Sequence, residues 1–393
     1  MSVKKRSFVI IGGGFSGLVN SYLEEDSILF EEHNLIGFPP HCTGLVSSRF
    51  VETLGSIARE NIINSYREIL VLDLSGRELL ELRFKDKIYR LDRINLEKTL
   101  LKESIDRGSK IELSSKIIDL STSSEDKNKI CLAIKKKSAI EKICFDKPII
   151  LVADGVLGGV SSKILGRVER DLVLGIQVLT SIDRESRSDI YRLDRILVFV
   201  NDKIFPEFFG WIVPVSESRA IVGAGFNLKR SVYAYFKYYL HKLKRLKLLN
   251  YIDIRSSYGG LINRSLIEEH IGNRVILVGD AAGLTKPFTG GGLYTSLYQA
   301  IAIKRAYKND FDSFKKRYIG IMRRLTRELS LQRIGVVLAE RLGLENLIKR
   351  YLVEFHIDTL YIDYDYYSRS IVEFFKNRGL TDYFRSLIYH RSL

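Results

Sequence analysis

Phe8-Val9-Ile10-Ile11-Gly12-Gly13-Gly14-Phe15-Ser16-Gly17 decides how the rest of the chain is read. Four apolar residues run straight into a glycine-rich turn, the pattern of a buried strand that feeds a helix. Gly12, Gly14 and Gly17 carry the G-x-G-x-x-G spacing. In a dinucleotide-binding turn the first glycine permits the tight turn. The second lets the backbone approach a pyrophosphate, and the third lets the helix pack closely on the strand. The free N–H groups and positive dipole end of that helix favour phosphate. A second run, Ser27-Ile28-Leu29-Phe30, ends in Glu31, nineteen residues after Gly12. That is where a dinucleotide fold places the acid that binds a ribose hydroxyl. The interval from Gly17 to Glu31 leaves room for a first helix of about two turns.

Two later stretches repeat the theme. Lys147 to Val152 is an apolar run ending in Ala153-Asp154-Gly155, a further parallel-type strand with an acid and a glycine at its carboxyl edge. Arg274-Val275-Ile276-Leu277-Val278 leads into Gly279-Asp280-Ala281-Ala282-Gly283, then Pro287-Phe288-Thr289-Gly290-Gly291-Gly292 and a long helix from Leu293. Glycines at a helix start let backbone N–H groups come close to a flat ring, and the helix dipole favours negative charge there.

Between these stretches, residues 66–90 read as a β-hairpin, and Asp92 to Leu101 begins a helix that ends near Gly108. Lys110 to Leu120 reads as one strand, and 129–145 as a hairpin turning at residues 137–138. Residues 165–260 alternate as an antiparallel sheet, including Leu172 to Leu179, Ile196 to Val200 and Arg219 to Phe226. A basic amphipathic helix, Val232 to Leu249, follows; it reads as packed on the sheet with lysines in solvent, membrane contact being its other use. Residues 311–393 read as helices. The expected class is α/β. A dinucleotide-binding domain (1–65, 91–165 and 261–310) is interleaved with an antiparallel substrate domain (66–90 and 166–260), and a helical C-terminal region (311–393) follows.

The 393 residues suffice for two domains, and 46% hydrophobic content is enough for a packed core. No run of eighteen apolar residues suggests a transmembrane helix. Lys4-Lys5-Arg6 before an apolar run resembles a signal peptide, but the run is short, glycine-broken and better used as the first strand. The expected location is therefore cytoplasmic, with peripheral membrane attachment an option. The net charge of +15 favours anionic partners. No nucleic-acid motif accompanies it, so nucleic acid is not expected; an anionic membrane surface and a plain solubilising surface both stay open. Two Met among abundant Ile, Lys, Arg and Glu hint at a thermophile. Three cysteines leave no zinc-ligand spacing. Cys131 and Cys144 fall opposite each other in the 129–145 hairpin, so a cross-strand disulfide is one reading; two ordinary strand cysteines is the preferred one.

Gly12/Gly14/Gly17 with Glu31, Ala153-Asp154-Gly155, and Val278-Gly279-Asp280-Ala281-Ala282 together resemble the three fingerprints of glutathione-reductase-type flavoproteins related to aromatic hydroxylases. Two local motifs narrow the resemblance to geranylgeranyl reductases. Pro39-x-x-Cys42-Thr43-Gly44 is similar to their P-x-x-C-G-G loop. Phe209-Gly210-Trp211-Ile212-Val213-Pro214, followed by Gly223-Ala224-Gly225, is similar to their aromatic-x-W-x-F-P and G-x-G elements. Thr43, Val213 and Phe209 depart from the family's usual Gly, Phe and Tyr.

The resemblance implies FAD as cofactor. It implies contacts from Gly12, Gly14, Gly17 and the Ser16 backbone at the pyrophosphate, Glu31 at the ribose, Cys42 and Thr43 near the isoalloxazine, Arg93 at the phosphates and the Ile117 backbone at the adenine. Asp154, Gly279 and Asp280 would lie along the cofactor, with Gly291, Gly292 and Leu293 beneath the ring. Phe209, Trp211 and Pro214 would wall an apolar substrate pocket, and Cys42 would be a proton relay or a polarisable wall residue. The implied activity is reduction of isoprenoid double bonds in membrane lipids or prenyl diphosphates. The electron donor, NAD(P)H or a reduced protein carrier, stays open. A flavin monooxygenase or halogenase of the same fold is the first alternative, and a flavin electron-transfer protein the second.

Overall fold

The structure, a computed structural model, describes residues 3–4, 6–39, 42–122, 126, 128–166, 170–182, 190–229, 231–249, 257–267, 271–307, 310–353 and 357–377. Pro40 and His41 of the cysteine-bearing loop lie outside them. The chain divides into two compact units, each made of three segments: Met1–Ile63, Leu91–Val173 and Gly260–Leu329, and Asn64–Arg90, Leu174–Gly259 and Ser330–Leu393.

Among the described residues the first unit holds two sheets. Its six-stranded sheet runs in the order Ile271–Gly272, Val275–Leu277, Ile149–Val152, Phe8–Ile11, Ser27–Phe30, Lys110–Glu112. All neighbours are parallel except the first pair. Every residue of Phe8–Ile11, Ser27–Phe30 and Ile149–Val152 is buried. A parallel sheet covered on both faces requires this, and it explains why these strands are nearly continuous apolar runs. The Phe15–Leu23 helix has nine residues, close to the short first helix expected. The Arg93–Asp106 helix is capped by Asp92, whose Oδ1 accepts the Asn95 N–H at 3.1 Å; its buried Leu96 and Leu100 are one turn apart.

The four-stranded sheet pairs Val3–Lys4, Ala139–Asp146, Lys129–Lys136 and Lys116–Thr122 in that order. Two expectations are corrected here. Lys110 to Leu120 is not one strand but two, Lys110–Glu112 and Lys116–Thr122, in different sheets. The chain breaks at Ser114, whose φ is +51°, and Ser114 and Ser115 donate their N–H groups to the carbonyls of His33 and Glu31. Cys131 and Cys144 are not free thiols. The hairpin register sets them directly opposite with Cα atoms 4.0 Å apart, and they form a disulfide.

The second unit is built on a sheet with the order Tyr258–Asn263, Leu172–Ser181, Arg219–Asn227, Gly210–Ser216, Arg195–Val200, Ile62–Asp73, Glu78–Leu91, Thr359–Ile362. The Val232–Arg245 helix covers one face through Phe236, Tyr239, Leu240 and Leu243, which share a core with Leu72, Phe199, Ile212 and Val222. The sheet is mixed rather than antiparallel. Arg195–Val200 runs parallel to Ile62–Asp73, and Thr359–Ile362 parallel to Glu78–Leu91. Strands joined through a long excursion are free of the hairpin constraint that forces antiparallel pairing. Thr359–Ile362 also corrects the reading of 311–393 as helices alone; a β-branched and aromatic four-residue run completes a sheet edge there.

Candidate functional site: a dinucleotide cradle and an aromatic sheet face

The register of the parallel sheet assembles the first site. Ile11 stands beside both Phe30 and Val152, and Val152 beside Leu277. The residues that follow these four, Gly12, Glu31, Ala153 and Val278, therefore emerge in one row at the carboxyl edge of the sheet. Because Phe8–Ile11 is flanked by Ser27–Phe30 on one side and Ile149–Val152 on the other, the chain reverses its order there, which is where open α/β sheets bind ligands.

The glycines divide into two kinds. A Cβ on Gly12, whose φ is +104°, would lie 2.3 Å from the Ala153 carbonyl oxygen, and one on Gly17 would lie 1.9 Å from the Gly12 oxygen. These two let segments of the protein touch. Gly14 is different: nothing lies within 4 Å of its Cβ position, and it precedes the Phe15–Leu23 helix without a side-chain cap. Ser16, the second residue of the helix, has a buried Oγ with no hydrogen-bond partner. An open approach, uncapped N–H groups and an orphaned hydroxyl fit a phosphate-bearing ligand.

Glu31 is buried, and its carboxylate is already held. Oε2 accepts the Gly13 N–H at 2.5 Å, and Oε1 accepts the His33 N–H at 2.8 Å and lies 2.5 Å from His33 Nδ1. His33 was not anticipated; a polar residue two positions after the acid was its only signal. The remaining lone pairs of Glu31 can accept from a ribose. Ile117 lies in the adjoining four-stranded sheet, its side chain buried opposite Ile134. Asp154 acts first as a cap: Oδ2 accepts the N–H groups of Val160 and Ser161, both at 2.9 Å, while buried Oδ1 has no partner.

On the far side of the row, Gly279 (φ +61°) packs against the first helix; a Cβ there would lie 2.7 Å from Ser16 Oγ. Gln299, wholly buried on the Leu293–Ala306 helix, fixes this turn by accepting the Gly279 N–H and donating to the Leu277 carbonyl, each at 2.9 Å. Half-buried Asp280 has Oδ1 3.2 Å from the Cβ position of Gly292. The following turn closes on itself, with the Lys286 N–H on the Gly291 oxygen and the Gly290 N–H on the Lys286 oxygen. Gly292 begins the Leu293–Ala306 helix without a side-chain cap, and buried Thr289 Oγ1 has no partner. Lys286, 2% exposed, runs under Gly291, with Cε 3.5 Å from that residue's Cβ position. This buried cation was not anticipated, although it directly precedes the Pro287–Gly292 turn.

Cys42 is exposed, and the Gly44 N–H points to its sulfur at 3.4 Å. Arg93 lies beneath it, pairing with Glu97 one turn along its helix and sitting 5.5 Å from the Phe15 ring centroid. Burial works against the Arg93 charge, but Glu97 and then Cys42 raise its pKa above the ordinary arginine value. Arg93 is thus held by a carboxylate and a sulfur at the entrance to the first helix, rather than projecting freely.

In the second unit, alternation along Gly210–Ser216 separates the three residues expected to form one wall. Ile212 joins the core under the Val232–Arg245 helix, and a Cβ on Gly210 would strike Tyr239 of that helix at 2.6 Å. Trp211 is on the opposite face, beside Gly223, whose Cβ position is 2.4 Å from the indole. Phe209 joins it with ring centroids 6.0 Å apart, and Phe208 stacks on Phe209 at 4.3 Å. Trp211 Nε1 is buried without a partner. Pro214 pairs with Ala220 of the helix-covered core, and its carbonyl accepts from Asn64 Nδ2 at 3.0 Å and Tyr66 Oη at 2.6 Å. Phe209 and Trp211 are brought together, and Pro214 is a fastening point on the other face.

No family model matches the chain. It is 24% identical to digeranylgeranylglycerophospholipid reductase 1 of Methanopyrus kandleri, over 79% of this chain and 84% of that one. It is 26% identical to the digeranylgeranylglycerophospholipid reductase of Methanococcus aeolicus, over 74% of this chain and 73% of that one. The chain is similar to geranylgeranyl reductases. Among solved structures it superposes on a geranylgeranyl bacteriochlorophyll reductase-like protein of Thermoplasma acidophilum with a TM-score of 0.78 and 18% identity, covering 97% of this chain and all of that one. Klebsiella pneumoniae HpxO complexed with FAD, a more distant match, has a TM-score of 0.66 and 15% identity, covering 88% and 93%. The fold is that of FAD-dependent reductases and monooxygenases.

Proposed function

We propose that this protein is an FAD-dependent reductase that saturates the isoprenoid double bonds of geranylgeranylated lipids or their diphosphate precursors. One observation carries the reading. Gly12–Gly14, Glu31, Ala153–Gly155 and Gly279–Asp280 meet at a single sheet edge with open approaches and orphaned polar atoms, in a chain similar to reductases of that name.

The backbone at Gly14 and Ser16 receives the pyrophosphate, Glu31 the ribose and Asp280 the ribitol. The bare N–H groups at Gly291, Gly292 and Leu293 face the ring, and Lys286 beneath Gly291 adds positive charge on that side. When bound, FAD supplies the hydride chemistry that reduces the double bond. An isolated double bond has no carbonyl to activate it, so the chain must contribute a dry apolar bed and a proton source. The Phe209/Trp211 face is the bed. Cys42, the exposed thiol held by the Gly44 N–H and Arg93, is the proton relay, and Thr43 adjoins it. The electron donor is NAD(P)H or a reduced protein carrier.

The test is anaerobic. Flavin-loaded protein is reduced, a geranylgeranylated phospholipid is added, and the visible flavin band is followed. Reoxidation without oxygen, with a mass gain of two hydrogens per double bond, is the expected result. A reduced protein that ignores the lipid and instead consumes oxygen to give a hydroxylated product establishes the monooxygenase alternative. Failure to bind FAD at all removes both.

A further inference from the structure

We propose that the outward face of the Val232–Arg245 helix is a docking surface for an anionic phospholipid bilayer. The helix spends its apolar side on the sheet: Phe236, Tyr239, Leu240 and Leu243 are buried. What remains outside is unusual in sign. From Leu228 to Leu249 the sequence contains seven Lys or Arg residues and no Asp or Glu. Lys237, His241, Lys244 and Arg245 are exposed, and among the described residues none of them pairs with a carboxylate. An ordinary solvated helix face mixes both signs, because i,i+4 pairs of opposite charge stabilise it. Here like charges crowd one face at a cost, and an anionic partner would relieve it.

The aromatic residues indicate which partner. Tyr233 is 61% exposed and Tyr238 43% exposed, flanking the basic residues on either side of the face. Leu228, 49% exposed, precedes the helix, and Lys242 sits 5.3 Å from the Tyr238 ring centroid. Tyrosines with an apolar body and a polar tip, set among lysines, match the headgroup layer of a bilayer, and an exposed leucine has more to gain there than on a polynucleotide. The inference draws on the proposed lipid-reductase function, since a substrate of that class resides in membranes. It is tested without one, so docking and chemistry fail separately.

Flavin-loaded, full-length protein is floated with vesicles of dioleoyl phosphatidylglycerol and phosphatidylcholine mixed equally, and with phosphatidylcholine vesicles alone; neither contains isoprenoid chains. The expected result is binding to the anionic vesicles only, weakened by salt of roughly 0.5 M. The triple variant Lys237→Gln/Lys244→Gln/Arg245→Gln is expected to lose roughly 100-fold in affinity while keeping its melting temperature and flavin content. Tyr233→Ser/Tyr238→Ser is expected to weaken vesicle binding without changing its salt dependence. Equal binding to both vesicles, no binding to either, or full binding by the triple variant overturns the proposal. So does a short RNA oligomer that binds wild type in preference to vesicles and loses that binding in the triple variant.

Discussion

Glu24 closes the C-terminal end of the Phe15–Leu23 helix with 3% of its surface exposed and Lys304 3.7 Å away. Burial dominates the lysine and pushes its pKa up from 4.5 to about 7. The folded state therefore holds a proton that the unfolded chain releases, so stability falls as pH rises from about 4.5 to about 7 and is level beyond. Glu24→Gln removes that loss. Urea denaturation should find the variant more stable than wild type by up to ~3 kcal/mol at pH 8 and nearly equal to it at pH 4. Gly14 calls for a different measurement. Its φ of −72° suits alanine, and the new methyl would enter space that the protein leaves open. Gly14→Ala should change stability by less than ~0.5 kcal/mol, yet weaken FAD binding measured by fluorescence titration. An unaltered flavin affinity would detach Gly14 from the cofactor site.

At the scale of elements, Trp211 and Gly223 form a cross-strand pair in which the glycine leaves room for the indole. Gly223→Ala should displace the ring and cost about 1–3 kcal/mol through overpacking. Because the chain has one Trp, its fluorescence emission reports the displacement without interference. The 129–146 hairpin offers a second check. The Cys131–Cys144 bridge closes a short loop, 13 residues apart in sequence, so Cys131→Ala/Cys144→Ala should lose roughly 2–3 kcal/mol in denaturant titration under oxidising conditions. Under reducing conditions the two proteins should converge. These elements also show where sequence reading stops. The strand–turn–helix at Phe8–Gly17 was legible because its physics lies within ten consecutive residues. The face taken by Pro214 was legible too, since it stands three residues after Trp211 on a regular strand, but reading the motif as one wall passed over that alternation. Its fastening by Asn64 and Tyr66 was not legible, because those partners lie about 150 residues away in sequence. The disulfide needed both a register and a redox state, and only the register could be read. Thr359–Ile362 was missed because four residues in a helix-rich neighbourhood carry too little pattern to outweigh it.

Across the whole molecule, each unit draws on three separated segments. The cradle depends on this. Ile149–Val152, which pairs with Phe8–Ile11 on one side, needs Val275–Leu277 as its neighbour on the other, and Gly279–Asp280 arrives only with it. A fragment ending at Val173 would leave the Ile149–Val152 strand with an unpaired, fully apolar edge. It is expected to aggregate or stay unfolded by circular dichroism and to bind no flavin, whereas a two-domain chain with contiguous domains would tolerate such a cut. The interleaving was legible because three fingerprint runs of one kind are spread over the sequence. Lys286, His33 and Gln299 were not, because no spacing or periodicity marks which polar side chain turns inward to hold a neighbouring glycine or carboxylate.

The bridge between Cys131 and Cys144 leaves one thiol, that of exposed Cys42, in a chain with three cysteines. The protein thus carries a single addressable sulfur, in the loop that Arg93 underlies. A thiol-selective spin label or fluorophore would attach there at one per chain without mutagenesis, and would report on that loop as cofactor and lipid arrive.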